Sequence, residues 1–174
     1  MSTDEDLMLA HQRGSADAFE ELFRRYRQPV WAYFRRRVPE AGRAEELAQE
    51  VFVAVLEGAR RYAPLAPVRA YLFGIAFNVL SAERRRTRQT SASLSGDVTA
   101  GRTPPSDARL WIRQALDRLE ASDREIVMLR EFEQLSYAEI ALLLGLPINT
   151  VRSRLFRARM ELRRLLDPCL EARS

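Results

Sequence analysis

The 174-residue chain contains no lysine, so all 28 of its basic residues are arginine. Arginine carries a planar donor fork that suits phosphate and guanine edges. The arginine composition of a GC-rich genome would leave the same mark, so this absence carries no weight alone. Cysteine occurs once, at Cys169, which excludes an internal disulfide and a cysteine-rich zinc site. Histidine also occurs once, at His11. That removes most histidine-based catalytic schemes, and His11 itself is expected on the surface. No glycine-rich phosphate loop, nucleophile triad or metal-ligand cluster is present. Catalysis, a cofactor, a metal and a small-molecule substrate are therefore not expected. No apolar run reaches the length of a membrane span, and no signal peptide precedes the first helical pattern. A cytoplasmic, reducing location without direct membrane insertion is the expectation. Strand-like alternation is missing as well, so the predicted fold class is all-α.

What the chain does have is helical periodicity on both sides of one interruption. Residues 89–106, QTSASLSGDVTAGRTPPS, are rich in Ser, Thr, Gly and Pro and nearly devoid of large apolar side chains. They read as a flexible linker between a helical domain at 1–88 and a smaller one at 107–174. In the first domain, helices are predicted from Asp4 to Arg13, ended by Gly14, and then from a cap at Asp17. Phe19, Leu22, Phe23, Tyr26, Val30, Tyr33 and Phe34 give that second helix a broad apolar face. Pro39 breaks it within Val38–Gly42. Ala44–Leu56 and Val68–Arg88 follow. In the second domain, Ala108–Leu119 is predicted helical. Ser122 and Glu125 form a capping-box pattern that opens another helix, through about Phe132.

The pattern with most content lies between Leu135 and Leu166. Ser136 with Glu139 is a second capping box, Gly145 supplies a left-handed C-cap, and Pro147 starts the next helix. Val151, Leu155, Ala158, Leu162 and Leu165 recur at helical spacing as a buried stripe. Asn149, Arg152, Ser153, Phe156 and Arg157 fall opposite. The spacing Ala141, Gly145, Val151 matches a helix-turn-helix. A plain helical hairpin with a solvated arginine face is the alternative. Arg152, Arg154, Arg157, Arg159, Arg163 and Arg164, against the single acid Glu161, weigh against it.

Two faces in the first domain are ambiguous on the residues alone. Ala44, Leu47, Ala48, Val51 and Val55 form an inner stripe. Glu46, Gln49, Glu50, Val53 and Glu57 form an outer one that suits docking on a basic partner helix, although a simple solvated face is the plainer reading. Further on, Tyr71, Asn78 and Arg85 are spaced by seven and share one helix side, ahead of the basic knot of Arg84, Arg85, Arg86 and Arg88. A ring, an amide and a guanidinium in a row suit unpaired bases. The loop from Arg60 to Pro67, with its two prolines, could wall a pocket for a flipped base. A core tyrosine, a capping asparagine and a basic helix end fit the same residues.

Four motifs in order carry a resemblance: Gly14 to Leu22 (GSADAFEEL), Ala44 to Phe52 (AEELAQEVF), Arg69 to Asn78 (RAYLFGIAFN) and Asn149 to Arg159 (NTVRSRLFRAR). With the linker between the third and fourth, the chain resembles the extracytoplasmic-function sigma factors of bacterial RNA polymerase over nearly its whole length. The resemblance implies a region-two domain, a linker and a region-four domain. It implies that Glu46, Gln49, Glu50 and Val53 dock on the clamp helices of the polymerase beta-prime subunit. Arg61, Tyr62, Tyr71, Asn78, Arg84 and Arg85 would capture the non-template strand of the minus-ten element. Asn149, Thr150, Arg152, Ser153, Arg154 and Arg157 would bind the minus-thirty-five element as duplex. Core polymerase, including its beta flap, promoter DNA and an anti-sigma factor are the implied partners. Tyr71 stands where the family often has tryptophan, Gly74 and Phe77 where many members have arginine, and Asn149 where glycine is common before Thr150. The alternatives are a stand-alone helix-turn-helix regulator, which lacks a recognisable receiver or ligand domain in residues 1–106, and an interaction protein such as an anti-sigma factor. The latter would not need the arginine-rich face at 152–164.

Overall fold

A computed structural model of the protein describes residues 2–91 and 107–167. The chain divides into two units, Met1–Ala100 and Gly101–Ser174. The division falls within the predicted linker, most of which, with Cys169, lies outside the described residues. Among the described residues the regular elements are all helical, as the missing strand alternation predicts.

Helix α1, Asp4–Gln12, opens on a capping box that the sequence reading passed over, formed by Thr3 and Asp6. It ends where Gly14 takes φ +99°. Helix α2, Ala16–Arg37, is capped by Ser15, whose hydroxyl accepts from the Ala18 amide at 3.2 Å. Asp17 therefore does not cap it. It sits in the first turn, where its carboxylate favours the helix dipole instead. Val38 ends α2 in an extended conformation, as the residue before Pro39 should. Helix α3, Ala41–Gly58, runs about a turn beyond the predicted start and two residues beyond the predicted end, and passes into a 3₁₀ turn, Ala59–Arg61. Helix α4 is Val68–Ser91.

The predicted inner stripe of α3 is buried in full. It packs with Leu22, Tyr26, Val30, Tyr33 and Phe34 of α2 and Val68, Leu72, Phe73, Ala76 and Leu80 of α4. Each large side chain so buried contributes roughly 1.5–3 kcal/mol. Phe23 departs from the predicted face: it is 38% exposed and rests edge-on against Phe52. His11 is not a free surface residue. It is half-buried, its ring lies 4.9 Å from Phe19, and its Nε2 is buried without a hydrogen-bond partner.

The second unit holds α5 (Asp107–Arg118), α6 (Ala121–Glu131), α7 (Tyr137–Leu144) and α8 (Ile148–Leu166). The predicted box at Ser122 and Glu125 does not form. Glu120 occupies the N-cap of α6 without a side-chain cap bond, and the Ser122 hydroxyl donates to the Glu120 carboxylate at 2.8 Å. With the helix starting at Ala121, Ser122 lies inside its first turn, where its hydroxyl also accepts from Arg154 of α8. Val151, Leu155 and Ala158 are buried, while Leu162 and Leu165 are only half-buried. At 19 residues, α8 outruns α6 and α7, which have 11 and 8.

Candidate nucleic-acid and polymerase interfaces

In the second unit the turn between α7 and α8 is built from local bonds. The Ser136 amide donates to Glu139 at 2.6 Å, and the Glu139 amide donates to the Ser136 hydroxyl at 3.2 Å. Gly145 adopts φ +65°, and the Leu146 amide returns to the Ala141 carbonyl at 2.9 Å. That closure matches the left-handed helix end expected of glycine. Ala141 is buried where α7 meets α8. The turn launches α8 from Pro147, whose carbonyl accepts from Thr150 at 2.9 Å and Val151 at 3.2 Å.

The arginines of α8 then separate by role. Arg152 and Arg157 are exposed beside Asn149 and Ser153, and neither makes an ion pair among the described residues. Arg154 turns inward. It bonds the Ser122 hydroxyl and lies 3.6 Å from the Asp123 carboxylate, with 28% of its side chain exposed. Arg159 is held by Glu131 of α6, through Nε at 3.0 Å and through Nη2. The Ser153 hydroxyl donates back to the Thr150 carbonyl at 3.1 Å, and Thr150 is half-buried. Phe156 adds an apolar surface, 67% exposed, between the outward arginines. Arg154 lies three residues after Val151 and four before Ala158, on the flank of the buried stripe.

On α3 the predicted outer residues Glu46, Gln49, Glu50, Val53 and Glu57 are all exposed and contiguous. The sequence reading missed what organises them. Arg43 reaches Glu46 at 2.6 Å and Glu50 at 3.4 Å, and forks onto both oxygens of Glu83 in α4 at 2.8 and 2.9 Å. The Arg43 hydrogen bond holds the Glu83 carboxyl below its ordinary range. The same bond, with that of Glu46, raises the Arg43 guanidinium above its own. This clamp ties the acidic face to α4 directly below Arg84 and Arg85, both of which are exposed.

The loop between α3 and α4 brings Tyr62 to Tyr71 but not to solvent. Tyr62 is 6% exposed, its hydroxyl has no hydrogen-bond partner, and its ring meets Tyr71 edge-on at 5.1 Å. Burial raises the phenol of each above its usual value. Tyr71 is half-buried, with its hydroxyl over Gly58: a Cβ there would lie 3.0 Å away. Asn78, Arg85 and Arg61 are exposed. Tyr71, Asn78, Arg84 and Arg85 thus share α4, while Tyr62 forms the floor beneath Tyr71. Two α1 side chains reach the same loop. Gln12 Nε2 donates to the Tyr62 carbonyl at 2.9 Å and to the Arg60 carbonyl at 3.4 Å. Glu5 Oε1 accepts from the Val68 amide at 3.1 Å. Neither residue stood out in the sequence. Among the described residues no group of His, Cys, Asp or Glu is placed to hold a metal, and no helix is long and apolar enough to cross a membrane.

A helix-turn-helix with Arg152 and Arg157 outward and unpaired among the described residues, and beside it in the chain a separate helical unit carrying an acidic face and a row of aromatic, amide and guanidinium groups, define a two-domain DNA-binding transcription protein. Residues 22–90 match the Sigma-70 region 2 family and residues 109–162 match Sigma-70, region 4. The chain belongs to the sigma-70 family of RNA polymerase sigma factors, in its extracytoplasmic-function (ECF) group. It is 34% identical over 161 residues to the RNA polymerase sigma factor CarQ of Myxococcus xanthus, covering 88% of this chain and 91% of the relative. It is 30% identical over 166 residues to the ECF RNA polymerase sigma factor SigM of Mycobacterium tuberculosis, covering 94% and 85%. The sigma factor RpoE of Bartonella quintana, solved in complex with the anti-sigma factor NepR, superimposes with a TM-score of 0.71 at 25% identity, over 85% of this chain and 96% of that one. The protein is a sigma factor that directs RNA polymerase to promoters. The region 2 match disfavours the stand-alone regulator.

Proposed function

We propose that this sigma factor divides promoter recognition between its two domains. The α3 face of Glu46, Gln49, Glu50 and Val53 docks on the beta-prime clamp helices, and the second domain meets the beta flap. Asn149, Thr150, Arg152, Ser153 and Arg157 read the minus-thirty-five element in the major groove, with Arg154 orienting α8 from inside. Arg61, Tyr71, Asn78, Arg84 and Arg85 hold the non-template strand of the minus-ten element, with Tyr62 backing Tyr71. Trapping an unpaired base there offsets an unstacking cost of a few kcal/mol and so drives melting. An anti-sigma factor is a further partner on this reading, by analogy with the complex of the Bartonella quintana relative. Partners of these kinds imply a cytoplasmic protein.

The observation that carries the reading is the sorting of α8's arginines. Arg154 and Arg159 are engaged by residues of α6, while Arg152 and Arg157 stand exposed without an ion pair among the described residues. Run-off transcription with purified core polymerase and this chain tests it. Specific initiation that is lost in Arg152→Ala and, separately, in Tyr71→Ala supports the division. Initiation indifferent to both variants removes it.

A further inference from the structure

The helix that carries Tyr71 starts without a cap of its own. Its first turn leaves backbone amides that need acceptors, and the preceding residue is Pro67, which has no side-chain oxygen to offer. The acceptor comes from 63 residues away, as Glu5 bonds the Val68 amide at 3.1 Å. The loop ahead of it is equally short of internal bonds. Pro64 and Pro67 contribute no donors. The Tyr62 amide returns to the Ala59 carbonyl at 3.2 Å and that of Leu65 to Ala63 at 2.7 Å, and Leu65 is 92% exposed. The carbonyls of Arg60 and Tyr62, which no local donor takes, are met by Gln12. Both bonds arise from α1, one near its start and one at its last residue. They grip the loop on either side of the segment 63–67. Gln12 holds the backbone of Tyr62 itself, Glu5 holds the α4 start three residues before Tyr71, and the two rings meet 5.1 Å apart. The family match begins at residue 22, so α1 lies outside it.

We infer that Glu5 and Gln12 are positioning residues for strand capture: together they set the shape of the 59–67 loop and the angle at which Tyr71 is presented to an unpaired base. The inference rests on the proposed capture of the non-template strand by α4. A loop held at both ends presents one geometry and so discriminates among bases. A loop freed at one end presents several, and still stacks but discriminates less.

Isosteric variants separate positioning from folding. Glu5→Gln keeps an oxygen acceptor for the Val68 amide, whereas Glu5→Ala removes it. Gln12→Glu keeps the shape but replaces a donor with a carboxylate that faces two carbonyl oxygens. The chain, assembled with core polymerase, would be presented with a pool of single-stranded DNA randomised across the minus-ten element, and the retained strands sequenced. Glu5→Ala and Gln12→Glu are each expected to cut the preference at the captured base by about tenfold. Glu5→Gln should keep the wild-type preference, and all three should bind core polymerase as wild type does. Weakened polymerase binding in Gln12→Glu would point to a general folding role and overturn the inference. Unchanged preference in Glu5→Ala and Gln12→Glu, with preference lost in Tyr71→Ala, would also overturn it while leaving strand capture intact. Unchanged preference in Tyr71→Ala as well would remove strand capture by α4, and the inference with it.

Discussion

Arg152 and Arg154 sit two positions apart on α8, and a change in each should register in a different assay. Arg152 is exposed and unpaired, so Arg152→Ala is expected to weaken promoter use by roughly 1–3 kcal/mol and relax preference at one base pair, with little change in stability. Arg157→Ala belongs to the same class. Arg154→Ala leaves the Ser122 hydroxyl and the poorly exposed Asp123 carboxylate without their cross-helix partner. A loss of about 1–3 kcal/mol of folding stability is expected, read as a lower melting temperature of the full chain. If Arg154→Ala melts like wild type but changes base preference, the inward assignment is wrong. Tyr62 is the other residue whose role the fold revises. A ring 6% exposed supports its neighbour and does not itself stack on a base while the loop keeps this conformation.

Between helices, two contacts give measurable expectations. Gly145 takes φ +65°, and a Cβ added to it would meet nothing within 4 Å. Gly145→Ala therefore meets no clash and bears only the left-handed backbone penalty, roughly 1–2 kcal/mol. Gly145→Asn should be milder. Thermal melts of the two variants check this order, and equal melting of both with wild type would refute it. The α3–α4 clamp predicts a pH dependence. Arg43 holds the Glu83 carboxyl below its ordinary value of 4.5. A carboxyl lowered in the folded state adds stability that is complete above its unfolded value and fades as pH falls through the folded one. The urea midpoint of wild type should thus drop further between neutral and acid pH than that of Glu83→Gln, and parallel curves would rule the clamp out as a source of acid sensitivity. Much of this level was readable from the sequence. Ser136, Glu139 and Gly145 lie within one helix and its end, so their chemistry is local. The same motif at Ser122 and Glu125 does not form because the helix starts earlier: Glu120 takes the N-cap, which places Ser122 inside the first turn.

For the molecule as a sigma factor, affinity for promoter DNA is expected to emerge only with core polymerase, since each domain presents a small set of contacts. The isolated chain should bind promoter duplex weakly and with steep salt dependence, and specific retention should appear when core polymerase is added. Tight operator binding by the chain alone, measured by gel shift at physiological salt, would contradict this. The approximate helix positions, the inner and outer faces of α3 and the helix-turn-helix follow from periodicity and, at Ser136, Glu139 and Gly145, from caps that close within a turn, so the amino-acid order was enough for them. The clamp of Arg43 on Glu83, the inward turn of Arg154, the burial of Tyr62 and the hold of Glu5 and Gln12 on the capture loop were not accessible that way. The bonds involved join residues 32 to 63 positions apart. An arginine or a glutamine looks equally suited to water or to a buried partner until the packing of the helices brings one within bonding distance.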